Sequence, residues 1–259
     1  MDWCCIAAVN DTTVLESNLA ASPTFRSEPD RLCILRNRHS ASIAYNEGLD
    51  QTKERICVFA HQDVYLPLGW EETLMQKVSD LETLDPNWAV IGLFGVDLNG
   101  GNVGRVWDSG IGREIGFGCS APIPVQSFDE LLLVLNRDCG LRFDPDLPSF
   151  HLYGTDIVQT AISSGKRAYV IDAPVVHNSL PVPTLRGGFT LAYNYMRKKW
   201  WERLPIVTPV TRLTRRGWYL EWQDIRRFRF NSWRKNQVRL ASRQPRPNPE
   251  TISKRLGYE

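Results

Sequence analysis

Arg55-Ile56-Cys57-Val58-Phe59-Ala60-His61-Gln62-Asp63-Val64 sets five consecutive apolar residues ahead of a polar His-Gln-Asp triplet. A run that is apolar at every position has to bury both of its faces, as a strand does inside a parallel sheet covered by helices. Such a strand delivers the residues after it to the sheet's C-terminal edge, where open α/β sheets bind ligands. Upstream, Trp3 to Val9 is a second apolar run. Asn10-Asp11-Thr12-Thr13 then supplies helix N-cap chemistry ahead of Val14, Leu15 and Leu19 at helical spacing. Leu32 to Leu35 reads as another buried strand and Ala41 to Leu49 as a short helix. Downstream, the spacing predicts a helix over 69–84, a strand over 88–96, a Gly- and Pro-rich stretch of loops and short strands over 97–128, and a strand over 131–135. A helix over 156–164 and a strand over 167–171 come next. Strands alternating with helices predict an α/β fold, an α/β/α sandwich with a mostly parallel central sheet.

At 259 residues and 42% apolar composition the chain can bury a sizeable core, which excludes global disorder. Its net charge of +2 hides a division. Residues 1–196 carry 14 basic and 24 acidic side chains, and residues 197–259 carry 17 basic and 5 acidic, a net of +12. Six cysteines without a C-x-x-C pair argue against a zinc ribbon and for reduced, mostly buried thiols. Asp2 stands where a signal peptide would be basic, and no apolar run approaches the roughly 18 residues needed to span a bilayer. A soluble, cytoplasmic protein is expected, with domains at 1–205 and 206–259.

His61 and Asp63 leave the most apolar strand together, and carboxylate oxygen suits Mg2+ or Mn2+ while imidazole nitrogen shifts the preference toward Mn2+. The plainer alternative makes His61 a strand cap and Asp63 the N-cap of a turn before Pro67. His177 comes after a strand pair ending at Val176, so it can reach the same sheet edge or serve as a half-buried imidazole. His151, between Phe150 and Tyr153, suggests packing. Asp156 opens a helix, where it complements the helix dipole or serves as a general base. Asp129-Glu130 offers two more carboxylates just before a strand. Asn46 and Gly48 end a short helix.

Taken in order, Asn10-Asp11, Ala44-Tyr45-Asn46-Glu47-Gly48, Phe59-Ala60-His61-Gln62-Asp63-Val64, Phe128-Asp129-Glu130, Phe150-His151-Leu152-Tyr153-Gly154-Thr155-Asp156 and His177-Asn178-Ser179 form a more specific pattern. Over roughly residues 3–205 it resembles the nucleotide-sugar glycosyltransferases of GT-A fold. Within them it is similar to a small bacterial glycosyltransferase-like family related to a streptomycin-biosynthesis protein. The resemblance implies a nucleotide-sugar donor contacted by Asn10, Asn46, His61 and Asp63, and a metal held by His61, Asp63 and His177. It also implies a catalytic base at Asp156, with Glu130 second. An inverting transfer to a glycan or glycoconjugate acceptor, such as a surface polysaccharide, is the expected chemistry. His61 departs from the family pattern by replacing the first acid of the Asp-x-Asp pair, which removes one negative charge from the site.

The last sixty residues interleave arginine with Trp200, Trp201, Trp218, Trp222 and Trp233. From 217 to 240, Trp218, Trp222, Ile225 and Phe228 fall near one helical face. That face either packs on the transferase domain or docks on anionic lipid at the inner face of a membrane. No nucleic-acid motif accompanies the charge, so nucleic acid is not expected as a partner. Two other readings stay open: a non-catalytic binding or scaffold subunit of the same fold, and a membrane- or nucleic-acid-surface binding protein whose basic tail is its main functional element.

Overall fold

The computed structural model describes residues 2–181, 185–229 and 246–259. The stretch 230–240 of the aromatic tail, Trp233 included, lies outside the described residues. β1 (Trp3–Val9) leads to α1 (Thr12–Ser17) and α2 (Pro23–Ser27), then β2 (Leu32–Arg36), α3 (Ala41–Gln51), β3 (Ile56–Ala60), the short β4 (Val64–Tyr65) and α4 (Trp70–Leu84). β5 (Trp88–Gly92), β6 (Phe94–Asp97), β7 (Asn102–Asp108), β8 (Arg113–Phe117), β9 (Ile123–Phe128) and β10 (Leu132–Asn136) come next. α5 (Tyr153–Ser163), β11 (Arg167–Val170), β12 (Val176–His177), α6 (Gly188–Lys199), β13 (Ile206–Val207), β14 (Arg212–Leu213), α7 (Tyr219–Arg229) and α8 (Pro249–Leu256) complete the order.

The main sheet runs β2-β1-β3-β10-β5-β11-β9-β6-β7-β12-β4, with β8 beside β7. β1 is parallel to both β2 and β3, and β5 is parallel to β11, as the alternating pattern predicts. β10 enters between β3 and β5 antiparallel to both. An apolar run carries no sign of its direction, so this reversal could not be read from 131–135. Its consequence is local to the site: the start of β10 lies at the C-terminal end of β3, where the His61 N–H donates to the Leu131 carbonyl at 3.0 Å.

β3 alternates between two cores. Cys57 and Phe59 join Tyr45, Phe143, Tyr153 and Ile157 under α3 and α5. Ile56, Val58 and Ala60 join Trp70, Leu74, Val78 and Leu81 of α4 on the other face. The strand expected over 88–96 is two strands. Gly92 sits where a Cβ would lie 2.4 Å from the Phe128 ring, and the chain bends there from the β10–β11 side of the sheet to the β7–β9 side. The helix expected from 156 starts at Tyr153. Beyond 205, Ile206, Leu213 and Leu220 enter the same core as Phe59, and Ser127 Oγ donates to the Val207 carbonyl at 2.7 Å. All six cysteines are free.

Candidate metal centre and its cleft

The end of β3 and the end of β12 bring His61, Asp63 and His177 together. Their ligand atoms all lie within 4.8 Å of one another, close enough to share one ion. Two imidazoles and one carboxylate suit a borderline divalent cation such as Mn2+ better than Ca2+, which prefers oxygen alone.

Each ligand is oriented from behind. Tyr153 Oη donates to the Glu130 carbonyl at 2.7 Å, so it accepts from His61 Nε2–H at 2.9 Å. That arrangement leaves His61 Nδ1 with a free lone pair. Burial drives the His61 pKa down to about 4, which keeps the ring neutral and able to ligate at pH 7. His177 faces Asp108 Oδ2 through Nδ1 at 3.2 Å and Asp63 Oδ1 through Nε2 at 3.5 Å. Burial alone would lower the His177 pKa, but the two carboxylates hold it well above the usual histidine range. A cation binding through His177 Nε2 would displace its proton, and Asp108 on Nδ1 would then hold the neutral ring in the ligating tautomer. Burial opposes ionisation of Asp63, yet His177 and, to a smaller extent, His61 and Arg246 keep it well below the ordinary carboxylate value. Arg246 reaches it from the far end of the chain, Nη1 to Asp63 Oδ2 at 3.2 Å, and also donates to the Asn178 carbonyl.

A cleft of about 330 Å3 opens beside this group, lined among others by Asn10, Arg38, Tyr45, Gln62, Glu130 and His151. Gln62, the middle residue of the triplet, ties the loop after β1 to the site. Its Oε1 accepts from the backbone N–H groups of Asn10 and Asp11 at 3.1 Å, and its Nε2 donates to Asn10 Oδ1 at 2.7 Å. Arg38 is clamped by Glu47 at 2.5 and 2.6 Å. Glu130 lies against the start of α5, where the nearby backbone N–H groups of Leu152 and Gly154 favour its ionised form. Burial, reinforced by the neighbouring Asp129 charge, raises its pKa well above the ordinary value. The loop that presents Phe150 and His151 to the cleft is held with Ser149 at φ 67° and Leu152 at φ 65°, a left-handed conformation that non-glycine residues rarely adopt. Backbone strain of this kind concentrates at functional loops. His151, which its aromatic neighbours assign to packing, does both: it packs on Phe189 at 5.4 Å between centroids and lines the cleft.

Two residues expected at the site are engaged elsewhere. Asp156 is 2% exposed and does not line this cleft. It accepts from Lys199 Nζ and from Trp200 Nε1, each at 2.8 Å, and so ties α5 to the end of α6. Asn46 closes a two-way bond with the Phe143 backbone, donating to its carbonyl at 2.8 Å and accepting from its N–H at 3.0 Å. Asn10, His61, Asp63, His177 and Glu130 are brought together. Sequence reasoning missed Tyr153, Asp108 and Arg246, which act on the site across 92, 69 and 183 positions of chain with no local motif.

No protein-family profile matches the chain. The crystal structure of GalNAc-T7 with UDP, GalNAc and Mn2+ superposes with a TM-score of 0.50 at 12% identity, covering 78% of this chain and 49% of that one. The fold is GT-A. The mannosyltransferase PcManGT from Pyrobaculum calidifontis, solved with GDP-Man and Mn2+, aligns over 99% of this chain and 79% of its own at 13% identity and a TM-score of 0.48. In sequence, "ATP synthase subunits region ORF 6" of Fuscovulum blasticum is 30% identical over 142 residues, 51% of this chain and 55% of that protein. The chain thus spans about half the length of that relative. In the GT-A frame, the His61–Asp63–His177 group occupies the C-terminal edge of the central strands, and Glu130 stands at the same edge because β10 runs backward.

Proposed function

We propose that this protein is a metal-dependent glycosyltransferase that moves a sugar from a nucleotide-sugar donor to a glycan or glycoconjugate acceptor with inversion. The observation that carries the reading is the convergence of two imidazoles and a carboxylate within 4.8 Å at the mouth of a GT-A sheet. A divalent ion there neutralises charge on the departing nucleoside diphosphate. Asp63 and the two histidines hold that ion; Asn10, Arg38 and Gln62 line the cleft beside it and contact the donor. Glu130 is the proposed base. It lines the cleft beside the metal group. Its raised pKa makes the ionised form a good proton acceptor for an acceptor hydroxyl, as general-base catalysis requires. Asp156, with both oxygens bonded to Lys199 and Trp200, supports this assignment by being unavailable.

The test is thermal stabilisation by UDP or GDP with and without Mn2+. Stabilisation should depend on the metal in the parent protein and disappear in Asp63→Ala, each shift being measured against that protein's own melting temperature without ligand, which falls in the variant as the His177 and Arg246 contacts are lost. Metal-dependent stabilisation that survives Asp63→Ala would remove the centre. Donor binding without donor hydrolysis or transfer to any acceptor would instead leave a non-catalytic subunit of the same fold.

A further inference from the structure

α7 is mounted with the wrong side in. A surface helix ordinarily buries its apolar stripe and exposes its polar one. Here Leu220, Gln223 and Asp224 face inward. Leu220 enters the core, Asp224 is 8% exposed and accepts from the Leu185 N–H at 3.2 Å, and Gln223 donates to the Val210 carbonyl at 3.0 Å. Trp218, Trp222 and Ile225, spaced at i, i+4 and i+7 on the opposite side, are 53%, 42% and 54% exposed. The polar anchors leave α7 no freedom to rotate this stripe inward without breaking two part-buried hydrogen bonds.

The charges around the stripe say what covers it. Arg226 lies 4.7 Å from the Trp222 ring centre and Arg216 lies 5.8 Å from that of Trp218. Nearby in sequence, Arg215 lies 5.6 Å from the ring of the exposed Trp201. The whole stretch from 197 carries its net charge of +12. A protein partner's apolar groove would fit the tryptophans and leave the cations unmatched. Nucleic acid would match the cations, but bases stack on open aromatic faces. These rings carry guanidinium groups on their faces, and Trp218 meets Trp222 edge-on at an interplanar angle of 82°. An anionic bilayer surface satisfies both sets of groups, with indole rings at headgroup depth and guanidinium groups on lipid phosphate.

We propose that the outward face of α7, built on Trp218, Trp222 and Ile225, flanked by Arg216 and Arg226 and preceded in sequence by Arg215, docks the protein peripherally on anionic lipid bilayers. Among the described residues no helix is long and apolar enough to cross a membrane. The face lies outside the metal cleft, so its docking is independent of the transferase reading and can be tested without any sugar.

Co-sedimentation of the full chain with vesicles reads it directly. The protein should pellet with vesicles of phosphatidylcholine and phosphatidylglycerol at low salt and stay in solution with phosphatidylcholine alone. Replacing three arginines that each contribute about fivefold, in Arg215→Gln/Arg216→Gln/Arg226→Gln, should weaken partitioning by roughly 100-fold. Trp218→Ser/Trp222→Ser should lower it by at least about tenfold, with the unfolding temperature falling only slightly because about half of each residue is exposed. No partitioning onto anionic vesicles at low salt would overturn the proposal. So would a tryptophan double variant that partitions like the parent, one that unfolds several degrees earlier because the rings pack on the chain itself, or a parent protein that leaves the vesicles for single-stranded RNA at equal phosphate.

Discussion

Asp156→Asn separates a structural carboxylate from a catalytic one. The side chain is buried, with Lys199 Nζ and Trp200 Nε1 both at 2.8 Å. The amide keeps one carbonyl oxygen for Trp200 but turns an N–H group toward the Lys199 ammonium, replacing a charge-assisted bond with two opposed donors. Hydrogen bonds to charged groups are worth about 1.5–3 kcal/mol, and breaking a buried ion pair costs about 3–5 kcal/mol. Two features pull the value to the lower range. Lys199 keeps Asp144 at 2.6 Å and is itself a quarter exposed. Burial already raises the Asp156 pKa, so the neutral amide recovers part of a desolvation cost. A loss of about 2 kcal/mol is expected, which for a chain of this size lowers the unfolding temperature by about 4–8 °C. Urea unfolding followed by circular dichroism measures it, with transfer activity assayed well below the transition. Activity should then stay within a few-fold of the parent, whereas Glu130→Gln should bind donor normally and lose about 100- to 10,000-fold in transfer. An Asp156→Asn protein as stable as the parent and inactive would refute the reasoning and return the base to Asp156.

Tyr153→Phe removes the hydroxyl that sets the His61 tautomer and should weaken Mn2+ binding by about 10- to 100-fold, measured by titration calorimetry in the presence of nucleoside diphosphate. Asp144 is held below the ordinary carboxylate pKa: burial acts the other way, but the bonds from Lys199 and Tyr195 prevail. Its contribution is therefore fully present above the unfolded value of about 4 and fades as pH falls through the lower folded value. Asp144→Asn should unfold earlier than the parent at pH 7, and the gap should close below about pH 4.

The chain's own pattern discloses the framework because periodicity is local. Ile56–Ala60 is apolar at every position and is buried on both faces, and its exit delivers His61 and Asp63 to the sheet edge. His177 is legible for the same reason, as a histidine at a strand end. What periodicity lacks is direction and partnership. The run 131–135 is equally apolar read either way, so the antiparallel insertion that carries Glu130 to His61 is invisible. An acid at the start of a helix looks the same whether it faces a substrate or a lysine on the next helix, and Asp156 faces Lys199. The stripe at 218–225 has helical spacing, but spacing does not tell which side of α7 is anchored; Gln223 and Asp224 decide that through contacts with Val210 and Leu185.

The guanidinium of Arg246 on Asp63 bears on the order in which ligands arrive. A bare divalent ion approaching that carboxylate meets a fixed positive charge only a few ångströms away, well inside the ~8 Å over which physiological salt screens. A nucleoside diphosphate arriving alone finds Arg246, but the site's other cation, His177, is already committed to the negative charges of Asp63 and Asp108. Together, ion and diphosphate cancel one another's conflict with the protein. Thermodynamic reciprocity then requires that each raise the other's affinity by the same factor. On the proposed function, the centre is a coincidence detector, nearly indifferent to either ligand singly and responsive to the pair, so a cell's free manganese would occupy it only when donor is at hand.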